Sequence, residues 1–400
     1  MSTILVAGGG ISGLAVALGL SRQGRHRIEV FERNAQFAEL GAGIQLAPNA
    51  FHALDLLGVC DQVRSRAVYI DELVLRDGRS GERLVTLPVG ADYRRRFGNP
   101  YAVVHRGDLY APLLAACRAE ERIRLRADSP VVGYRTSDES VVCELASGEQ
   151  VVGDVLIGAD GIRSRVRHQL VGDGEPRVTG HTIFRSVVPT SSVPAELRWN
   201  AVSLWAGEGW HLVSYPIAGG RELNIAAVRD GGATRAVSGE PVDQHLVPAA
   251  FPEAGGQARR LLHLGRQWRR WVLCDRPPVA RWVQGRVVLI GDAAHPMLQY
   301  AAQGAALALE DSVVLARSLR CDPDEIPGRL LHFNEVRRER TSRAQEAARW
   351  LGDELYHPAG VRARTRDAML KSMTADDLME AVSWVHGFRL GAQEASPAPP

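Results

Sequence analysis

"ILVAGGGISGLAVALGLSRQGRHRIEVFER", residues 4–33, decides the fold. An apolar run (4–7) stops at glycines spaced Gly8-x-Gly10-x-x-Gly13. A helical stripe follows through Leu14, Ala17, Leu18 and Leu20, and Gly24 ends it. A second apolar run, 28–31, closes on Glu32. Together these make one βαβ unit, the context in which such glycines carry meaning. Gly8 makes the tight turn, Gly10 lets backbone N–H groups approach a pyrophosphate, and Gly13 lets helix and strand pack closely. The phosphates then face a helix N-terminus. Glu32 is placed to accept hydrogen bonds from ribose hydroxyls, and its neighbour Arg33 is grouped with the same site. The fingerprint predicts a bound dinucleotide. Alone it does not separate NAD from FAD.

Composition narrows the field. The chain has 400 residues, 45% hydrophobic and 24% charged, with a formal net charge of +2. That is ordinary for a globular protein of two domains, and it gives no field to attract nucleic acid. Lys371 is the only lysine, which argues against Schiff-base chemistry. No apolar run is long enough to span a membrane. Cys60, Cys117, Cys143, Cys274 and Cys321 are dispersed without CxxC spacing, so reduced thiols and a cytoplasmic location are expected.

Further along, two stretches repeat the logic of the first. "GADGIRSRVR" (158–167) follows the strand-like DVLI, and "GDAAHPMLQYAAQGAALALEDS" (291–312) follows VVLI. Each puts an Asp-bearing turn at the carboxyl end of a strand, where ligands sit in α/β sheets. Between them, TIFRSVVP, AVSLWAG, WHLVSYPI and ELNIAAV (about 180–230) read as antiparallel strands, with AGGRE as a hairpin loop. A helix over 105–121 is expected, with Asp108 as its cap. The arginine runs YRRRFG and GRQWRRW read as solvated or ion-paired faces, and VRRERTSRAQEAARW (336–350) as a packing or dimer surface. A homodimer is left open.

The three turns in this order resemble those of the FAD-dependent aromatic hydroxylases, the single-component flavoprotein monooxygenases, over about residues 3–350. The resemblance implies an α/β fold of the para-hydroxybenzoate hydroxylase type: a Rossmann-like FAD-binding domain, an antiparallel-sheet substrate domain and C-terminal helices. The corresponding segments are 1–70, 101–175 and 280–345 for FAD; 71–100 and 176–279 for substrate; 346–390 for the helical region; and 391–400 for a disordered tail. It implies bound FAD and a transient NADH that docks, reacts and leaves. Gly291 and Asp292 would meet the ribityl or pyrophosphate portion, Arg106 the phosphates, and Asp160 both FAD and NAD(P)H. The helix starting at Gly304 would point at the flavin ring. The loop 40–50 would flank that ring and let it move. Arg22, Arg25 and Arg33 could pass for ligands of a 2′-phosphate, but in this reading that site holds FAD.

In WHLVSYP, His211, Val213 and Tyr215 alternate and so share one face of a strand. The stretches GDAAHPMLQYAAQGA, WHLVSYPIAGGRELN and WLGDELYH look most like the 3-hydroxybenzoate 6-hydroxylases. There the matching His, Tyr and Gln line the phenol site. By that resemblance His211 has the basicity to take the phenol proton, and Tyr215 and Gln299 hold the phenolic oxygen. The reaction implied is 3-hydroxybenzoate, O2 and NADH to 2,5-dihydroxybenzoate. Salicylate, 6-hydroxynicotinate and larger natural products are the alternatives within the class. A colourless NAD-dependent dehydrogenase and a non-enzymatic redox sensor lie outside it. No residue for the substrate carboxylate is named, and His295 is read as structural.

Overall fold

The computed structural model describes residues 2–38, 41 and 43–391. Residues 392–400 of the expected tail and residues 40 and 42 of the expected flavin-flanking loop lie outside the described residues. Two sheets organise the chain. The first has six strands in the order Val283–Gln284, Val287–Leu289, Val155–Gly158, Ser2–Ala7, His26–Phe31, Ile123–Arg126. All pairings are parallel except the hairpin of the first two. Its central strands are apolar along their length because helices cover one face and the three-stranded sheet of Val131–Thr136, Val141–Leu145 and Gln150–Gly153 packs on the other.

Register fixes the site. Ala7 lies opposite Gly158, and Gly158 opposite Leu289. The three Asp- or Gly-bearing turns therefore leave the sheet side by side, although more than half of the chain separates the first from the last. The helices that follow the first and third turns, Ile11–Ser21 and Gly304–Ser318, touch at Gly19. A Cβ there would lie 3.1 Å from the Cβ of Ala316.

The second sheet has eight strands, ordered Glu240–Pro241, Arg269–Asp275, Arg177–Pro189, Glu222–Asp230, Trp210–Ile217, Ala201–Gly207, Glu72–Asp77, Arg83–Pro88. One face buries Trp205, Trp210, Leu212 and Ile225 under the short helices Leu246–Ala249 and Gly256–Leu264. Alternation sends the other side chains to the opposite face, where Ile183, Ala226 and Val228 pack with Leu298, Tyr300 and Ala348. That face meets the turn and helices following the six-stranded layer.

One expectation is corrected. The helix is Arg106–Ala119, and His105 caps it by accepting from the Gly107 amide at 3.1 Å. Asp108 sits inside the first turn, 3.6 Å from Arg66. A residue already in helical geometry cannot cap its own helix. The arginine-rich stretch 336–350 lies, as expected of a packing face, in the helix Ile326–Trp350, and Arg337 within it is fully buried. It pairs with Glu310 at 2.7 Å and Asp311 at 2.8 Å.

Candidate active site

The glycine turn is built as tightly as its spacing requires. Gly8 has φ of +109°, and a Cβ there would lie 2.3 Å from the carbonyl oxygen of Ala159. A Cβ on Gly13 would lie 1.9 Å from the Gly8 carbonyl oxygen. Gly10 is the opposite case: a Cβ would meet nothing within 4 Å. Open space thus lies against the N-terminus of Ile11–Ser21, whose Gly10 cap contributes no side-chain hydrogen bond. Glu32, buried at the end of its strand, accepts from the Gly9 amide (2.9 Å) and the Asn34 amide (2.9 Å), which holds the turn in place. Arg33 is exposed beside it.

The other two turns close on the first. Asp160 accepts from the Arg165 amide at 2.7 Å and lies under Gly8, while its second carboxylate oxygen is buried without a partner. Burial pushes its carboxyl up from the usual range. Gly291, at φ +56°, packs on Ser12, and its amide donates to Asp311 at 3.0 Å. Asp292 is exposed, with a carboxylate oxygen 3.9 Å from where a Gly304 Cβ would stand. The helix from Gly304 also lacks a side-chain cap. His295 is buried, 2.5 Å from Asp311 and edge-on to Trp282. Arg106 lies against Gly41. An open cradle at Gly10, an orphaned acceptor on Asp160 and two uncapped helix N-termini fit a dinucleotide with an anionic centre.

On the second sheet, cross-strand pairing arranges three rows on the face turned to this cradle. The first is Ile183–Val228–His211, the second Arg185–Ala226–Val213, the third Val187–Asn224–Tyr215. Small residues stand in the middle row, with His211 to one side, Tyr215 to the other and Arg185 at the row's end. His211 is buried. Its Nδ1 faces Nε2 of His357 at 2.7 Å, and the two rings stack with centroids 4.9 Å apart. Burial, then the neighbouring His357 and His181, lower its pKa well below the usual histidine value. His211 is therefore held as a neutral imidazole.

Tyr215 and Gln299 are also engaged elsewhere than expected. The Tyr215 hydroxyl donates to the Gly43 carbonyl at 2.9 Å, and burial raises its pKa to about 12. Gln299 accepts from Arg185 through Oε1. His211 and Tyr215 stand two rows apart, about 13 Å along the strand, so the structure does not gather all three on one oxygen. Arg185, not anticipated from the sequence, is half-buried beside Trp271. Its Nε is buried without an acceptor, and no carboxylate among the described residues lies within ion-pair distance. His181, Tyr300 and Tyr356 complete the wall: His181 Nδ1 lies 2.6 Å from the Tyr300 hydroxyl, and the Tyr356 hydroxyl donates to the Tyr300 carbonyl at 3.1 Å. The alternation that picks out His211 and Tyr215 also puts His181, Ile183 and Arg185 on one face.

Comparison with known proteins agrees with this geometry. The FAD binding domain family matches residues 1–350. The chain belongs to that family and is an FAD-dependent monooxygenase of the aromatic hydroxylase class. Among its relatives, 3-hydroxybenzoate 6-hydroxylase 1 of Aquipseudomonas alcaligenes is 44% identical over 96% of this chain and 98% of that protein. The 3-hydroxybenzoate 6-hydroxylase of Klebsiella oxytoca is 39% identical over 96% of each. Among solved structures, a salicylate hydroxylase substrate complex superposes with a TM-score of 0.85 at 28% identity, covering 99% of this chain and 98% of that one. Among the described residues, no helix is long and apolar enough to cross a membrane.

Proposed function

We propose that this enzyme hydroxylates 3-hydroxybenzoate to 2,5-dihydroxybenzoate, with NADH as reductant and O2 as oxygen donor. The observation that carries the reading is a pair of side chains on one face of the sheet: a buried neutral base, His211, and an arginine without an acidic partner among the described residues, Arg185. The names carried by its relatives support the same substrate. Bound FAD supplies hydride acceptance and oxygen activation. Gly8, Gly10, Gly13, Glu32, Asp160, Gly291 and Asp292 would hold it, with Arg33, Arg106 and the Gly304 helix beside it.

The residues of this chain then have distinct tasks. His211 takes the phenol proton at Nε2, because Nδ1 is occupied by His357. Ionising the phenol raises electron density at the ring carbons ortho and para to it, the positions an electrophilic oxygen attacks. Arg185 holds the carboxylate; a guanidinium matches it with paired hydrogen bonds. Gln299 orients that guanidinium through Oε1. Tyr215 is tied to Gly43 and so fixes the far wall against the segment 43–46. The test is NADH consumption with a panel of hydroxybenzoates and product analysis. Formation of 2,5-dihydroxybenzoate from 3-hydroxybenzoate supports the reading; turnover of salicylate alone overturns it.

A further inference from the structure

We infer that His357 is a proton relay, carrying the phenol proton from the sealed base His211 to the surface. The inference rests on the phenolic substrate proposed above. Its geometry is independent of that substrate. His211 is buried, whereas His357 is only half-buried, at the end of the π-helical turn Leu351–Tyr356. The facing nitrogens are 2.7 Å apart. A shared proton spans that gap, while two imidazoles on one tetrahedral metal, each about 2.1 Å from it, stand further apart. Asp230, whose side chain is 54% exposed, sits 3.9 Å from His181 and favours charge on His357.

The surroundings explain why the base needs an outlet. The titratable groups packed about the pair are His181 and Asp230 on the neighbouring strands, Tyr300 and Tyr356, with Asp353 acting on Tyr300. His181 disfavours charge on both histidines, and burial holds the His357 pKa at about 4. A proton left on His211 would be an imidazolium in an apolar wall beside two other imidazoles. Passing it on avoids that state. The phenol O–H proton goes to Nε2 of His211, the Nδ1 proton goes to Nε2 of His357, and the Nδ1 proton of His357 goes to water. His211 ends neutral with its tautomer exchanged. The tautomer resets when the product phenol takes a proton back along the same line.

The test mixes flavin-loaded enzyme with 3-hydroxybenzoate in weak buffer and follows proton release with an indicator dye. Variants His357→Gln and His357→Ala are compared at equal flavin content. Glutamine can accept from Nδ1 of His211 and keep the ring oriented, but it cannot pass a proton on. The relay predicts release slowed about 100-fold in both variants, with added imidazole restoring His357→Ala. Wild-type rates in His357→Gln overturn the relay and leave the substrate reading intact. A wild-type enzyme that turns over no hydroxybenzoate and releases no proton overturns both.

Discussion

Arg185→Met separates anion binding from everything else Arg185 does. Methionine keeps length and apolar bulk but removes the guanidinium. In the structure Arg185 spends one donor on Gln299 and leaves Nε buried with no acceptor. A carboxylate bound there takes up the orphaned Nε in one hydrogen bond to a charged group, worth about 1.5–3 kcal/mol. At about 1.4 kcal/mol per tenfold, kcat/KM for 3-hydroxybenzoate should fall about 10- to 150-fold. The control is 3-hydroxybenzyl alcohol, which keeps the phenol and lacks the carboxylate. The loss of the Gln299 partner affects both compounds alike and cancels in their ratio. Arg185→Lys, a point charge without the fork, should fall between the two. Steady-state NADH oxidation with product analysis reads the ratio. An equal fall for acid and alcohol refutes the carboxylate assignment.

Other perturbations test other parts of the site. His211→Ala should lower hydroxylation by about 100-fold or more while flavin content stays near wild type; a flavin absorbance spectrum beside product analysis checks both. Gly8→Ala should destabilise even the apoprotein by about 1–3 kcal/mol, since its φ is +109° and the Ala159 carbonyl blocks a Cβ. Gly10→Ala should spare apoprotein melting and reduce FAD retention, because its Cβ enters only the open cradle. Arg337→Met should cost about 3–5 kcal/mol in urea unfolding, as it strips Glu310 and Asp311 of a buried partner. His211, His357 (about 4) and His386 (about 3) are bases with folded pKa values below the ordinary 6.5. The unfolded chain therefore takes up protons first as pH falls. Their contribution is intact above pH 6.5 and declines toward pH 4, by about 1.4 kcal/mol per pH unit for each histidine. Asp160, with its raised carboxyl, opposes the trend. Equal stability at pH 5 and pH 7 would count against these burials.

The cofactor layer was legible because its constraints are local. Gly8 and Gly13 leave no room for a side chain and Glu32 ends its strand, so each declares itself within one βαβ unit. The three turns could be ranked by order alone, since parallel register then sets them side by side. The substrate layer was half legible. Alternation located His211 and Tyr215, but it could not tell that Arg177–Pro189 lies one strand away, across Glu222–Asp230. Arg185 and His181 were therefore passed over. His357 is 146 residues from His211, and only the long helix Ile326–Trp350 brings it there. The pKa of His211 is hidden from the sequence for a related reason: it is set by burial and by two histidines that no local pattern reveals. Asp108 failed as a cap because His105, three residues earlier, takes the position.

Gln299 and Tyr300 are consecutive, and they reach different rows of the second sheet: the first engages Arg185, the second His181. Both belong to the short turn Gln299–Ala301 that leads into the helix at Gly304. One clasp of two adjacent side chains thus fastens the aromatic chamber to the dinucleotide layer. Remodelling the chamber for a different ring would leave Gly8, Glu32 and Asp160 untouched, yet any change at the clasp would disturb anion capture and proton traffic together. Altered selectivity in such a scaffold should then arise by paired replacements across the clasp, one on the turn and one on the facing strand.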